Sequence, residues 1–308
     1  MKVVLDLTAL VAAGQLTQAE ADRLKGLAAT QNSSTAVNIL LGFGVVAIAL
    51  GIGVLIPTAQ TAIVLGAIFV AAGFGLTAAR IIRWSILAQI LMVVGALGIV
   101  AGVWALSDGN WQVTLALAVG LGVVAAVARS GLLSALAVLL LAAALGSSTA
   151  YMHASYFLGV DRPALTIGVL SALTLVLYLA SLRVPHDYER LAIIGARTAI
   201  LMINLAFLVG SLFGDDALHW PAMVFAIIWA VLLIGAALWA AVVNRPWLLN
   251  AAAVFGAIHF YTQWFETLGP SPLSVVGGGI LLIVFGLMLA WFNRQLAARR
   301  EAKAPAVA

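Results

Sequence analysis

The sequence predicts an all-α integral membrane protein with about ten transmembrane helices. Of its 308 residues, 64% are hydrophobic and only 8% are charged, whereas a soluble domain carries about 25% charged residues. Apolar runs of roughly 20 residues recur along most of the chain, and a helix of that length crosses a hydrocarbon layer of about 30 Å. Apolar and polar residues do not alternate as they do in membrane barrels, so helices are the expected spanning element.

Residues 1–36 are the first predicted segment, a short cytoplasmic helix-turn-helix hairpin that ends in a linker. Helical spacing of apolar residues from Leu5 to Ala13 predicts its first helix. Thr17 followed three residues later by Glu20 matches a capping box, in which each side chain binds an exposed backbone N–H at the start of the second helix. The polar run from Thr30 to Ser34 is the predicted linker to the membrane domain.

Residues 37–293 contain ten apolar runs, and each predicts one transmembrane helix. The predicted spans are Val37–Ile56, Ala59–Ala79, Trp84–Leu106, Trp111–Ala128, Leu132–Met152, Pro163–Leu182, Leu191–Phe213, Trp220–Val243, Trp247–Phe265 and Leu273–Phe292. Two five-helix halves would lie in opposite orientations, as the inverted repeats of secondary transporters do, but the two halves show no convincing sequence register. Gly98 and Gly102 form a GxxxG pattern, which predicts close packing of two helices.

The distribution of basic residues predicts that both termini face the cytoplasm. If ten spans alternate from a cytoplasmic amino terminus, 14 of the 15 Lys and Arg residues, including those of the basic tail at 294–308, fall on the cytoplasmic side. Only Arg162 falls outside, and a bias of this kind in short loops marks the cytoplasmic face. The composition, rich in Ala, Leu, Val, Gly and Arg, is typical of a GC-rich bacterial genome. The expected location is therefore the bacterial inner membrane.

The composition and motif content predict a non-enzymatic protein without a cofactor. The absence of cysteine excludes disulfides, thiolate metal sites and cysteine nucleophiles. No GxSxG, phosphate-binding loop or metalloprotease signature is present. We therefore predict no catalytic, cofactor-binding or metal-ligating residue. The net charge of +4 is explained by the cytoplasmic loops and indicates no binding of nucleic acid.

Uncharged polar residues inside the predicted spans are the candidates for a solute path. No charged residue lies at mid-span, where it would cost several kcal/mol, so a proton relay through the bilayer is disfavoured. Uniport, exchange and a role without transport remain open. The candidates are Gln89, Asn204 and Asn250, and interhelical hydrogen bonds explain them at least as well as a path does.

A second candidate is a polar cluster at the outer face. His259, Gln263 and Glu266 are spaced four and three residues apart, so they share one face of a helix. Loops predicted on the same side add His153, Asp161, Asp215, Asp216 and His219. Such a set could hold a cation or zinc, but it contains no paired-histidine motif. The favoured interpretation is a collar of polar and aromatic residues where a helix leaves the hydrocarbon.

Two stretches resemble a bacterial family of predicted membrane proteins of unknown function. Leu10–Leu24, with the sequence LVAAGQLTQAEADRL, is similar to the opening hairpin of that family. Asn244–Arg300, with an aromatic outer collar, Gly277-Gly278-Gly279 and a terminal Arg cluster, is similar to its last two helices. The resemblance implies a multi-pass membrane protein and lends no catalytic residue. Length and span count also resemble ten-helix drug and metabolite exporters.

The expected function follows from these features. We expect a membrane protein that acts through helix packing in the lipid bilayer and through contacts with a protein partner, with the amino-terminal hairpin as the partner-binding or regulatory element. The alternative is a small-solute permease or exporter of the ten-helix drug/metabolite transporter type. It requires a polar cavity near the middle of the membrane.

Overall fold

The computed structural model describes residues 10–11, 14–79, 82–152, 155–243, 245–269 and 271–301. Over these residues the chain forms ten long α-helices, one short 3₁₀ helix and a β-hairpin. The helices are α1 (Gln18–Leu55), α2 (Ala59–Ala78), α3 (Ser85–Leu106), α4 (Trp111–Ala128), α5 (Gly131–Ala144), α6 (Pro163–Ser181), α7 (His186–Phe213), α8 (Ala222–Val242), α9 (Pro246–Leu268) and α10 (Pro272–Glu301). The strands are β1 (Ser147–Met152) and β2 (Ser155–Val160), and the 3₁₀ helix is Ile82–Trp84.

Seven of the described helices are long and apolar enough to cross a membrane: α1 from Val37 onward, α2, α3, α4, α6, α7 and α8. α5 has 14 residues and is about 21 Å long, shorter than the hydrocarbon layer. α9 has 23 residues but is not among the seven, because Asn250, His259 and Gln263 make it more polar than its neighbours. The prediction of a helical membrane protein is confirmed, while the described chain contains seven candidate spans rather than ten.

The fifth span was predicted as Leu132–Met152, and the second half of that prediction is wrong because these residues do not continue the helix. α5 ends at Ala144, and Gly146 follows with a φ of 96°, which only glycine adopts without strain. β1 then pairs antiparallel with β2 along all 6 of its residues. Ser147, Ser148 and Thr149 compete with the backbone for hydrogen bonds and disfavour a helix interior. The helix was predicted here from apolar content alone. The described residues instead form a helical fold with one β-hairpin.

The amino-terminal turn forms as predicted. The N–H groups of Gln15 and Leu16 donate to the carbonyl of Leu10, and the Thr17 hydroxyl accepts the N–H of Glu20. The Glu20 carboxylate in turn accepts the Thr17 N–H at 2.9 Å, which completes the capping box. The Thr17 N–H above all, and the Thr17 hydroxyl, which donates to the same carboxylate at 2.8 Å, hold the pKa of Glu20 below its ordinary value. The predicted first helix lies largely outside the described residues.

The predicted linker from Thr30 to Ser34 is not a break in the helix. The backbone is helical without interruption through the 38 residues of α1, from the capping box to the end of the first span. Polar composition predicted a linker, but Thr, Gln, Asn and Ser are tolerated inside a helix whose two ends are fixed by other contacts. The turn is therefore joined to the first span by continuous helix.

The described chain divides into two compact units, one of residues up to 144 with 174–198, and one of residues 145–173 with those from 199 onward. In the first unit, α2 and α3 pack so closely that a Cβ on Gly95 would lie 2.5 Å from the Gly66 carbonyl oxygen. A Cβ on Gly102 would lie 2.6 Å from the Ala59 carbonyl oxygen. The close packing predicted for Gly98 and Gly102 is confirmed.

The side chain of Asn38 joins α1 to the start of α3 by hydrogen bonds within the first unit. Its side chain is 2% exposed, Nδ2 donates to the Arg83 carbonyl at 2.8 Å, and Oδ1 accepts the Leu87 N–H at 3.2 Å. Trp84, at the cap position of α3, makes no side-chain capping bond. Asn38 therefore supplies the missing acceptor from a different helix.

The core of the second unit lies among α7, α8 and α9. Phe207, Phe225, Trp229 and Leu233 form one buried cluster with Ala252 and Phe255 of α9. A smaller cluster joins Val160 of β2 to Ala206 and Val209 of α7. This unit contains the polar groups described next.

Candidate functional site

A hydrogen bond between two buried polar side chains joins α7 to α8. Trp229 is 1% exposed, and its Nε1 donates to Asn204 Oδ1 at 2.9 Å. Asn204 Nδ2 donates to the Ile200 carbonyl one turn earlier at 2.8 Å. The ring of Phe207 lies parallel to the indole at a centroid distance of 6.3 Å. The indole is therefore held in one position by a hydrogen bond and by a stacked ring.

α9 carries two further polar side chains, His259 and Gln263. The imidazole of His259 meets the Trp229 indole edge-on, with centroids 4.9 Å apart and an interplanar angle of 74°. Gln263 follows one turn later on the same face of α9. His259 Nδ1 and Gln263 Nε2 are both buried and have no hydrogen-bond partner. An unsatisfied buried polar group destabilises a protein by about 1–3 kcal/mol, so buried polar atoms of native proteins are usually hydrogen-bonded to protein, water or a ligand.

A groove of about 110 Å³ borders the Asn204–Trp229 pair. It is lined by Ile200, Ile203, Asn204 and Phe207 of α7, Trp229, Leu232, Leu233 and Ala236 of α8, and Leu248, Ala251 and Ala252 of α9. His259 lies about 10 Å further along α9 than Ala252, at 1.5 Å of rise per residue. Trp229 therefore contacts both the groove and His259. We call Asn204, Trp229, His259 and Gln263 the α7–α9 polar cluster.

The three residues predicted for a solute path lie in different surroundings. Asn204 is 9% exposed and belongs to the α7–α9 polar cluster. Gln89 is exposed on α3 in the first unit, and Asn250 is exposed on α9. A path along all three residues stays a prediction.

The predicted outer-face cluster is only partly assembled among the described residues. His259 and Gln263 share a face of α9, whereas Glu266 and His219 are exposed, and His153 lies outside the described residues. Within the part of the chain that the structure describes, no three His, Asp or Glu side chains converge to hold a metal ion. The collar interpretation suits the exposed Glu266, but it does not explain the buried, unpartnered atoms of His259 and Gln263.

Asp215 has a role that the sequence analysis missed. The carboxylate is 3% exposed, and its Oδ2 accepts the N–H of Ala164 in the first turn of α6 at 3.0 Å. Oδ1 accepts the Leu218 N–H at 3.0 Å, within a turn that a bridge between Asp215 and Trp220 closes. A signal was present in the sequence, because Arg162 precedes Pro163 where a capping Ser, Thr, Asp or Asn is usual. A helix without a local cap needs an acceptor from elsewhere.

These features together define a helical membrane protein with a buried polar cluster in one unit. Comparison with known protein families, curated proteins and solved structures gives no match. Membership of the bacterial family that the two stretches resemble stays a prediction.

Proposed function

We propose that this chain is a small-solute permease whose solute binds at the α7–α9 polar cluster. The observation that supports it most is two buried nitrogen atoms without partners, His259 Nδ1 and Gln263 Nε2, in a helix that packs against the candidate span α8. Polar groups inside a membrane are expensive and commonly mark a substrate pathway. A solute would supply the hydrogen bonds that these two atoms lack. The groove that Trp229 lines offers an approach to its indole.

The test is entry of small solutes into vesicles that contain the purified protein. Glycerol, urea, guanidinium and nitrate are presented separately, and entry is followed by light scattering against protein-free vesicles. Loss of one or two hydrogen bonds of about 1 kcal/mol each predicts that His259→Phe and Gln263→Leu slow entry about tenfold. Both variants should fold, because each removes an unsatisfied polar atom.

Gln112→Leu is the matched control for that experiment. Gln112 is an exposed glutamine on α4, and it belongs neither to the polar cluster nor to the three candidate path residues. Its replacement should leave entry unchanged. Absence of entry above the protein-free rate for every solute would overturn the proposal, and so would entry that is unaffected by both cluster variants.

We propose a second function for the amino-terminal turn, as a cytoplasmic docking element for a protein partner, without catalysis. Two observations favour it: α1 runs without interruption from the capping box into the membrane span, and Asn38 ties α1 to the start of α3. A partner bound at the turn would therefore act on the first unit through rigid elements. With α5, α9 and α10 counted as spans beside the seven candidates, 14 of the 15 Lys and Arg residues fall on the cytoplasmic side, which supports a bacterial inner-membrane location with both termini cytoplasmic.

Cysteine labelling tests the orientation on which this second function depends. The chain has no cysteine, so Gln18→Cys and Gln112→Cys each create a single reactive thiol at an exposed glutamine. In intact cells a membrane-impermeant maleimide should label position 112 alone, and position 18 only after permeabilisation. Labelling of position 18 from outside would exclude a cytoplasmic partner. If the orientation holds, removal of residues 1–16 should abolish co-purification of the partner without affecting insertion.

A further inference from the structure

We infer that the solute of the α7–α9 polar cluster is uncharged and able both to donate and to accept hydrogen bonds, an inference that rests on the proposed permease function. Two properties of the second unit point to this class: the absence of charge in the helical residues around the cluster, and the hydrogen-bonding groups left free.

The helices around the cluster carry no Asp, Glu, Lys or Arg within residues 199–213, 222–242 and 246–265. Moving an ion out of water is costly even after the protein relaxes. Contacts with the aromatic rings of Trp229 and Phe207 would return only part of that cost to a cation and none of it to an anion. A charged solute would therefore be disfavoured at this place, whereas a neutral one would not.

The charged groups nearest along these elements do not alter that conclusion. Asp215 directs both carboxylate oxygens to backbone N–H groups of Ala164 and Leu218. Glu266 follows Gln263 by three residues and is exposed beyond the cluster. His259 is the one titratable side chain within the cluster, and it faces the uncharged indole of Trp229.

The free groups define the complementary chemistry of the solute. A neutral imidazole has one donor and one acceptor nitrogen, and the Gln263 amide offers two N–H donors with a carbonyl acceptor. Asn204 is already bonded to Trp229 and to the Ile200 carbonyl. The open positions are therefore those of His259 and Gln263, and an amide, urea or polyol would match them.

Urea, guanidinium and nitrate are planar solutes of nearly equal size that differ in charge. A comparison of their entry rates therefore tests the effect of charge apart from that of shape. In vesicles containing the full chain, with the membrane potential clamped by potassium and valinomycin, we expect urea to enter about tenfold faster than in protein-free vesicles. Guanidinium and nitrate should enter at the protein-free rate. His259→Phe and Gln263→Leu should remove the urea signal, and Gln112→Leu should not.

The outcomes separate this inference from the proposed function. Entry of guanidinium or nitrate that is lost in the His259 and Gln263 variants would overturn the inference while supporting a permease. If urea, acetamide and glycerol enter no faster than in protein-free vesicles, and neither ion enters, both are overturned. In that case the unpartnered atoms hold ordered water only.

Discussion

Trp229→Ala is expected to lower the free energy of unfolding by about 3–5 kcal/mol, the usual effect of deleting a large buried aromatic side chain. The indole is 1% exposed, and it contacts Phe207 and His259 besides its hydrogen bond to Asn204. Reversible unfolding in mixed detergent and lipid micelles measures the change. Trp239→Ala is the matched control on the same helix, because Trp239 is 46% exposed. If both variants lose similar amounts of unfolding free energy, burial of Trp229 in the core of the second unit does not contribute more to stability than the exposed Trp239 does.

A double-mutant cycle separates the hydrogen bond from the ring. Trp229→Phe keeps an aromatic ring and leaves Asn204 Oδ1 without its donor, while Asn204→Leu leaves the indole N–H without its acceptor. Each single change should lower the unfolding free energy by about 1–3 kcal/mol. The double variant should lose less than the sum of the two, with a coupling of about 1 kcal/mol. Additive losses would show that the bond contributes nothing.

Asp215→Ala is expected to destabilise the protein by about 2–4 kcal/mol, because it removes a carboxylate that is 3% exposed and accepts two backbone N–H groups at once. The N–H of Ala164 lies in the first turn of α6, where no residue of the same helix can accept it. Asp215→Asn should lie between alanine and the wild type, since an amide has a single acceptor oxygen. The measurements are the unfolding free energy and the hydrogen exchange of the Ala164 amide, which should become faster.

The neighbouring carboxylate provides the control for Asp215. Asp216 is exposed, so Asp216→Ala should change the free energy of unfolding by less than about 0.5 kcal/mol. If the two alanine variants lose the same stability, the effect comes from net charge in the loop and not from the cap on α6.

Helix positions were largely predictable from the sequence, because a span needs only length and apolar composition. Trp111–Ala128 is the same in the prediction and in the structure, and the capping box at Thr17 and Glu20 is a local pattern that forms as written. Failures came where apolar content and backbone preference disagree. The predicted fifth span is apolar enough to be a helix, yet Gly146 and the Ser-Ser-Thr run after it end α5 and begin a strand.

Only part of the candidate site could be predicted from the sequence. His259 and Gln263 were identified as sharing a helix face from their spacing, but spacing could not show that Trp229 covers one of them or that both would be buried. Asn38 and Asp215 were missed as structural caps because each serves a helix distant in the sequence. Such long-range capping depends on how helices pack, and no local pattern encodes it.

The polarity of α9 has a consequence for how the chain is made. Its polar side chains, among them Asn250, His259 and Gln263, reduce the free energy that this helix gains on leaving the translocon for lipid. α8, with a mean hydropathy of 2.5 and no charged residue, partitions readily on its own. α9 would therefore enter the bilayer against α8, with His259 shielded from lipid by the Trp229 indole as the two helices emerge. Biogenesis of this half of the protein would then proceed by pairs of helices and not one helix at a time.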